Sequence, residues 1–180
     1  MVLHAVLSSV PSPDSYALRM LAAVERAGGP SITVHRLPGP HPQVDPSAIL
    51  AAELLTPRLP DGAVVLVDAL ALPNLAAALA VEDRRLRLVA LVDRLRWADA
   101  GDGGDGDTNG AAAARRHLEQ GVLALMRMIV VPDRAVADAV IALGLPSAIL
   151  LRVEDDEPGG RALVERLEVL AGALALSGAD

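Results

Sequence analysis

The stretch AVVLVDALALPNLAAALAVEDRRLRLVALVD, residues 63–93, decides the fold of this chain. Two runs within it, AVVLVDA (63–69) and LRLVALV (86–92), are apolar at nearly every position. Between them, leucine and alanine recur at helical spacing. Strands that are apolar on both faces belong inside a parallel sheet that is covered by helices. The stretch therefore predicts a strand–helix–strand unit.

The same alternation continues on both sides of this unit. Four more apolar runs, each followed by a segment with helical spacing, are VLHAVL (2–7), SITVHRL (31–37), RMIVVP (127–132) and SAILLRV (147–153). Parallel strands joined by right-handed crossovers form a doubly wound sheet. We therefore predict a single α/β domain over residues 1–180, with a three-layer, doubly wound, mostly parallel sheet of Rossmann-like type.

The last predicted element is a C-terminal helix over residues 158–177. Its leucines recur on one broad face, at Leu163, Leu167, Leu170 and Leu174. We expect this face to pack against the sheet and to complete the outer layer. The alternative is that the apolar surface meets a second copy of the chain, because a large exposed apolar patch marks an interface.

Composition excludes several classes of protein. The chain has no cysteine, which excludes disulfides, thiolate zinc sites and cysteine nucleophiles. A net charge of −7 argues against a nucleic-acid partner, since binding to the phosphate backbone needs a basic face. No apolar run reaches the roughly 18 residues that span a bilayer. We expect no membrane span and a cytoplasmic location.

Known catalytic motifs are missing as well. The sequence has no Gly-x-Ser-x-Gly elbow, no lysine of the P-loop type and no Gly-x-Gly-x-x-Gly after the first strand. In the turn SSVPSPDSY (8–16), Ser9 and Ser12 can form hydrogen bonds with a ligand. However, Pro11 and Pro13 lack N–H groups, and Asp14 places a negative charge where an anion would bind. We do not expect a phosphate site there.

An acidic, glycine-rich segment, GDGGDGDTNG (101–110), follows the fourth predicted strand. Its residues Asp105, Asp107 and Asn109 match the first half of a calcium-binding loop of the EF-hand type. Arg116 occupies the twelfth position, where such a loop needs a glutamate. We expect a flexible, solvated loop over residues 93–110, with a calcium site on those three residues as the alternative. Parallel sheets bind ligands at this edge.

Three strand ends resemble one known family. Val67 to Ala71, the apolar run from Leu88 to Val92, and Val130 to Pro132 with a later Gly-Leu-Pro turn at 144–146 match, in order and spacing, the N-terminal half of family-4-like, GT-B-fold glycosyltransferases. The similarity extends over roughly residues 1 to 156. It implies a Rossmann-like domain that binds the acceptor. In this family a second Rossmann-like domain binds the nucleotide-sugar donor.

The resemblance implies a domain that is weakly active or inactive alone, because no second set of strand–helix units follows. It implies no bound cofactor, and a nucleotide-sugar donor only if a second domain or chain supplies its site. The expected partners are a donor-domain subunit, as in a split glycosyltransferase, or a homo-oligomer. A non-enzymatic interaction module is the remaining alternative. The family's His-His-Pro turn is replaced here by Asp93, Arg94 and Leu95.

Candidate acceptor-binding residues follow from the strand ends and the available aromatic side chains. They are Ser9, Ser12, Tyr16, Asp68, Asp93, Arg94 and Trp97. Asp93 is the candidate catalytic group, since a carboxylate can accept a hydroxyl proton. Asp68 and Asp93 have an alternative role as caps of the turns that follow them, and Tyr16 also fits the apolar stripe of a helix.

Overall fold

The computed structural model describes residues 2–9, 15–95 and 109–172 of the chain. The strands in these ranges are β1 (Leu3–Ser8), β2 (Ile32–Leu37), β3 (Val64–Asp68), β4 (Arg87–Leu91), β5 (Met128–Val131) and β6 (Leu150–Arg152). The α-helices are α1 (Tyr16–Arg26), α2 (Pro46–Leu55), α3 (Leu72–Glu82), α4 (Asn109–Leu123), α5 (Arg134–Ala142) and α6 (Glu157–Gly172). Among the described residues, no helix has the length and apolar character needed to cross a membrane.

The six strands form one sheet in the order β2-β1-β3-β4-β5-β6, and every neighbouring pair is parallel. This confirms the prediction of a doubly wound parallel sheet. The chain moves from β1 to β2 in one direction and from β2 through β6 in the other. Because crossovers are right-handed, α1 covers one face of the sheet and α2 to α5 cover the opposite face. Helix α6 lies beside α1.

Side chains of alternating strand positions build a separate core on each face, as expected for strands that are buried on both sides. On the α1 side, Leu66 and Val89 pack against Met20 and Leu167. On the other side, Val67 packs in a cluster that includes leucines and alanines of α2, α3 and α4. These two cores confirm the predicted three layers.

Capping residues and glycines mark the helix ends. The Asp133 side chain accepts a hydrogen bond from the Val136 amide at 2.9 Å and caps α5. Gly28, with φ of 73°, follows the end of α1, and Gly144, with φ of 88°, follows the end of α5. Glycine suits the two positions that follow the helices, because only glycine adopts positive φ without strain.

The last helix packs on its own chain. Leu163 and Leu167 are fully buried in the core on the α1 side. Gly160 lies against α1 so closely that a Cβ atom there would be 2.2 Å from the Ala23 carbonyl oxygen. The expectation that this helix packs against the sheet is confirmed. It begins at Glu157, one residue before the predicted start, and is described as far as Gly172.

Candidate functional site

The order of the strands predicts a crevice at the carboxyl edge of the sheet. Strands β1 and β3 are neighbours, and the chain leaves them toward opposite faces of the sheet. Loops that diverge in this way leave a space above the strand ends, and open α/β sheets bind their ligands in that space. Ser8 ends β1 and Asp68 ends β3. We call this position the switch point.

Ser8 and Asp68 each bring a buried polar atom without a partner to the switch point. Ser8 is 2% exposed and Asp68 is 4% exposed. Within the described part of the chain, neither the Ser8 Oγ atom nor the Asp68 Oδ2 atom has a hydrogen-bond partner. Nearly all buried polar atoms in folded proteins are paired, because an unpaired one costs free energy. Two such atoms on adjacent strand ends therefore make the switch point a candidate ligand site.

The electrostatic environment of Asp68 also differs from that of a surface carboxylate. Burial raises the pKa of Asp68 above its usual value, and the nearby charge of Asp93 raises it further. The backbone amides of Leu70 and Ser8 oppose this rise in the pKa of Asp68. The Leu70 amide donates to Asp68 Oδ1 at 3.1 Å. One carboxylate oxygen therefore caps the following turn, as the alternative reading of the sequence expected, while the other has no such role.

A loop that connects β2 to α2, residues 38–45, forms one side of the crevice. The Ser9 hydroxyl donates to the Gly39 carbonyl oxygen at 3.3 Å and ties this loop to the end of β1. His41 Nε2 lies 3.0 Å from the Pro38 carbonyl oxygen, so this nitrogen is the donor of the ring. His41 Nδ1 is then the acceptor.

Asn74 of α3, which is 2% exposed, holds the same loop from the other side. Its Nδ2 atom donates to the Gln43 carbonyl oxygen at 2.9 Å and to His41 Nδ1 at 3.2 Å. Its Oδ1 atom accepts from the Asp45 amide at 2.8 Å. A fully bonded buried amide rigidifies the elements that it joins. The loop is therefore anchored next to the switch point.

An apolar groove lies between α3 and α4. Its inner end, about 20 Å³ in volume, is lined by residues that include Ala69 and Val92, the immediate neighbours of Asp68 and Asp93. Its outer part has a volume of about 210 Å³ and is bounded by the anchored loop, at residues 42–44. The two parts share Leu118 and two other lining residues. We call this feature the α3–α4 groove.

The other predicted site residues do not gather at the switch point. Tyr16 is 2% exposed, and its hydroxyl donates to the Val153 carbonyl oxygen at 2.9 Å, so it lies in the core. Asp93 and Arg94 are exposed at the end of β4, and Arg94 lines the groove. Ser12, Trp97, Asp105 and Asp107 lie outside the described residues.

The structure gives no support to a metal site within its described ranges. Asn109, the third candidate calcium ligand, is the first residue of α4 and not part of a loop, so the predicted loop over residues 93–110 extends too far. The remaining part of that segment, 96–108, is outside the described residues. No group of three or more histidine, aspartate or glutamate side chains that could hold a metal ion occurs among the residues that are described.

Two histidines on neighbouring strands form a pair that their separation in the sequence did not indicate. His4 of β1 and His35 of β2 stack with ring centroids 5.4 Å apart, and His4 Nδ1 lies 3.1 Å from His35 Nε2. The register of the parallel strands places them on the same face of the sheet. Burial, together with the neighbouring His4 ring, lowers the pKa of His35.

Sequence reasoning missed Asn74 and His41 and did not single out Ser8. Asn74 is the only polar residue between Leu72 and Val81 in an otherwise apolar helix, which was an available signal. A polar side chain on the covered face of a helix needs a buried partner. The partner, His41 in a proline-rich loop, could not be inferred because the two residues are far apart in sequence.

The fold and the crevice define a Rossmann-like α/β domain with a candidate ligand site at its switch point. No family model matches this sequence, and a comparison with curated proteins finds no match.

Proposed function

We propose that this chain binds a small hydroxyl-bearing molecule at the switch point, as the acceptor-side domain of a GT-B-type glycosyltransferase. The observation that carries the proposal is a pair of buried atoms on adjacent strand ends, Ser8 Oγ and Asp68 Oδ2, that have no hydrogen-bond partner among the described residues. The similarity of the strand ends to those of family-4-like glycosyltransferases supports the acceptor-side role. Binding of a ligand there would remove the free-energy cost of both atoms.

The chemistry of the two atoms suits a sugar hydroxyl. Asp68 Oδ2 accepts a hydrogen bond from one ligand hydroxyl, and the Ser8 hydroxyl donates to or accepts from another. Asp93 is exposed and follows β4, the neighbour of β3, and we propose that both carboxylates face the same bound molecule. Asp93 is the candidate base for a hydroxyl proton, since it is accessible to ligand and solvent.

Glycosyl transfer by this domain requires a donor-binding domain from elsewhere. The described residues form one Rossmann-like unit, whereas transfer in GT-B enzymes takes place between two. We propose that the domain alone is weakly active or inactive and acts with a donor-domain partner. Hydrolysis or transfer of a nucleotide sugar by this chain alone, abolished by Asp93→Ala, would contradict this part of the proposal.

Binding can be tested by NMR titration of the 15N-labelled chain with methyl glycosides. We expect shifts of the Leu70 and Ser8 amides, and a loss of affinity of about tenfold or more in Asp68→Asn, since a hydrogen bond to a charged group is lost. Asp61→Asn is the control, because it removes the same charge from an aspartate that precedes β3, at the opposite edge of the sheet, where Asp61 pairs with Arg85. Equal affinity of both variants would show that the ligand does not use Asp68.

A homo-oligomer that forms through the last helix would have to use other residues of that helix, such as Val169, which is 66% exposed. Leu163 and Leu167 of that helix are fully buried in the chain's own core. Replacing Leu167 by a charged residue would therefore test folding and not association. A partner of another kind, a donor-domain chain, is tested by copurification and by activity that appears only in the mixture.

A further inference from the structure

We infer that the hydroxyl-bearing ligand of the switch point also carries an ammonium group, as an amino sugar does, and that this group binds between Asp68 and Asp93. The inference rests on the proposed function and adds a substrate class to it. Two features of the described residues support it, namely the common face of the two carboxylates and the lack of a positive partner for Asp68. The net charge of the chain agrees with it.

Strand alternation places both carboxylates on the face of the sheet that α1 covers. Leu66 of β3 belongs to the core on this face, and Asp68, two positions later, projects to the same side. Leu91 of β4 belongs to the same core and Val92 to the opposite one, so Asp93 returns to the α1 side. Asp68 is paired with Leu91 in the sheet. Standard strand spacing and rise then put the Cα atoms of the two aspartates about 8 Å apart, within reach of one ammonium group.

Asp68 has no positive partner within the described part of the chain. It is 4% exposed, its Oδ2 atom accepts no hydrogen bond there, and its Oδ1 atom accepts one from the Leu70 amide. Arg19, a basic residue of α1, forms an ion pair with Asp155. A buried carboxylate is costly unless it is hydrogen-bonded and paired with a cation. A ligand ammonium group supplies both, because its N–H groups donate to carboxylate oxygens and its charge is positive.

The charge of this edge favours a cationic ligand over a neutral one. A sugar hydroxyl can donate to Asp68 Oδ2, but it leaves the charges of Asp68 and Asp93 without compensation. Burial, with the nearby charge of Asp93, raises the pKa of Asp68, and a bound cation would lower that pKa again. The net charge of −7 also attracts cations and repels anions at a distance. An amino sugar therefore satisfies both the hydrogen-bonding and the electrostatic needs of the two carboxylates.

The test compares methyl β-D-glucoside with two analogues that carry an amine in place of the hydroxyl at carbon 2 or carbon 6, and with their N-acetylated forms. In NMR titrations at pH 7 we expect one amino analogue to bind about tenfold or more tightly than methyl glucoside, because the attraction between opposite charges is strong in a partly buried site. The neutral N-acetylated forms should show no gain. Asp68→Asn should remove most of the gain and Asp93→Asn part of it. Asp61→Asn, which changes the net charge equally at the opposite edge of the sheet, should keep the gain.

The outcomes separate the two proposals. If methyl glucoside binds through Asp68 and neither amino analogue binds more tightly, the amino sugar is wrong and the proposed function stands. If no probe shifts the Ser8 and Leu70 amides, the proposed function fails and the amino sugar fails with it. A gain that persists in both Asp68→Asn and Asp93→Asn would also overturn the inference, because a general attraction of amines to an acidic protein would then explain it.

Discussion

Deletion of the Ser8 hydroxyl should raise the free energy of unfolding of this protein, although deletion of a buried hydrogen-bonding group normally lowers it. In Ser8→Ala the only polar atom removed is a buried oxygen that has no partner among the described residues. The matched variant is Tyr16→Phe, which removes a hydroxyl that is equally buried, at 2% exposed, but bonded to the Val153 carbonyl oxygen at 2.9 Å. The two variants should change stability in opposite directions.

The expected size follows from the cost of unpaired groups. A buried hydroxyl without a partner costs about 1–3 kcal/mol, because the same hydroxyl forms hydrogen bonds with water in the unfolded chain. After the lost contacts of one oxygen atom are subtracted, Ser8→Ala should raise the free energy of unfolding by about 1 kcal/mol. Tyr16→Phe should lower it by about 1–2 kcal/mol, because the Val153 carbonyl oxygen loses its side-chain donor.

Urea denaturation followed by far-UV circular dichroism measures both changes as shifts of the midpoint at constant slope. In thermal unfolding, 1 kcal/mol corresponds to about 2–4 °C for a domain of this size. The same Ser8→Ala protein should bind methyl glucoside more weakly than the parent chain does. A Ser8→Ala variant that is destabilised as much as Tyr16→Phe would refute the reasoning, because the hydroxyl would then have a structural partner.

Three further predictions follow from the same structure. Gly160→Ala should lower the free energy of unfolding by about 1–3 kcal/mol in urea, because the added methyl group meets backbone at 2.2 Å, whereas Gly121→Ala in α4, with no atom within 4 Å, should raise it by about 0.5–1 kcal/mol. Asp68→Asn should be more stable than the parent chain at pH 7, because the folded pKa of Asp68 is raised and its ionisation therefore lowers stability as pH rises. In denaturation curves measured across pH, the difference in stability should vanish below the unfolded pKa of 3.8. His35 has a lowered folded pKa, so the unfolded chain binds more protons and the free energy of unfolding should fall as pH drops through 6.5. His35→Gln should make this dependence on pH weaker, and an unchanged dependence would assign it to other groups.

Much of the site could be anticipated from sequence, because strand ends are visible as the last residues of apolar runs. Asp68, Asp93 and Ser9 were placed at the carboxyl edge in this way, and all three lie there. The sequence assigned Tyr16 both to the apolar stripe of a helix and to the candidate site. Its buried hydrogen bond to the Val153 carbonyl oxygen places it in the core, as the helix stripe predicted. Which polar atoms remain unpaired could not be predicted, since pairing depends on neighbours that are distant in the chain.

The sequence by itself determined the layered α/β architecture, because apolar runs, helical spacing and capping residues are local signals. Apolar runs without alternation predict strands buried on both faces, as in a parallel sheet between helices, and β1, β3, β4 and β5 are buried in this way. Only the tertiary structure decided which strand ends are adjacent, and therefore that Ser8 and Asp68 meet at a switch point. It also decided that Asn74 and His41 bond across 33 positions, because contacts of this separation follow from strand order and crossover handedness.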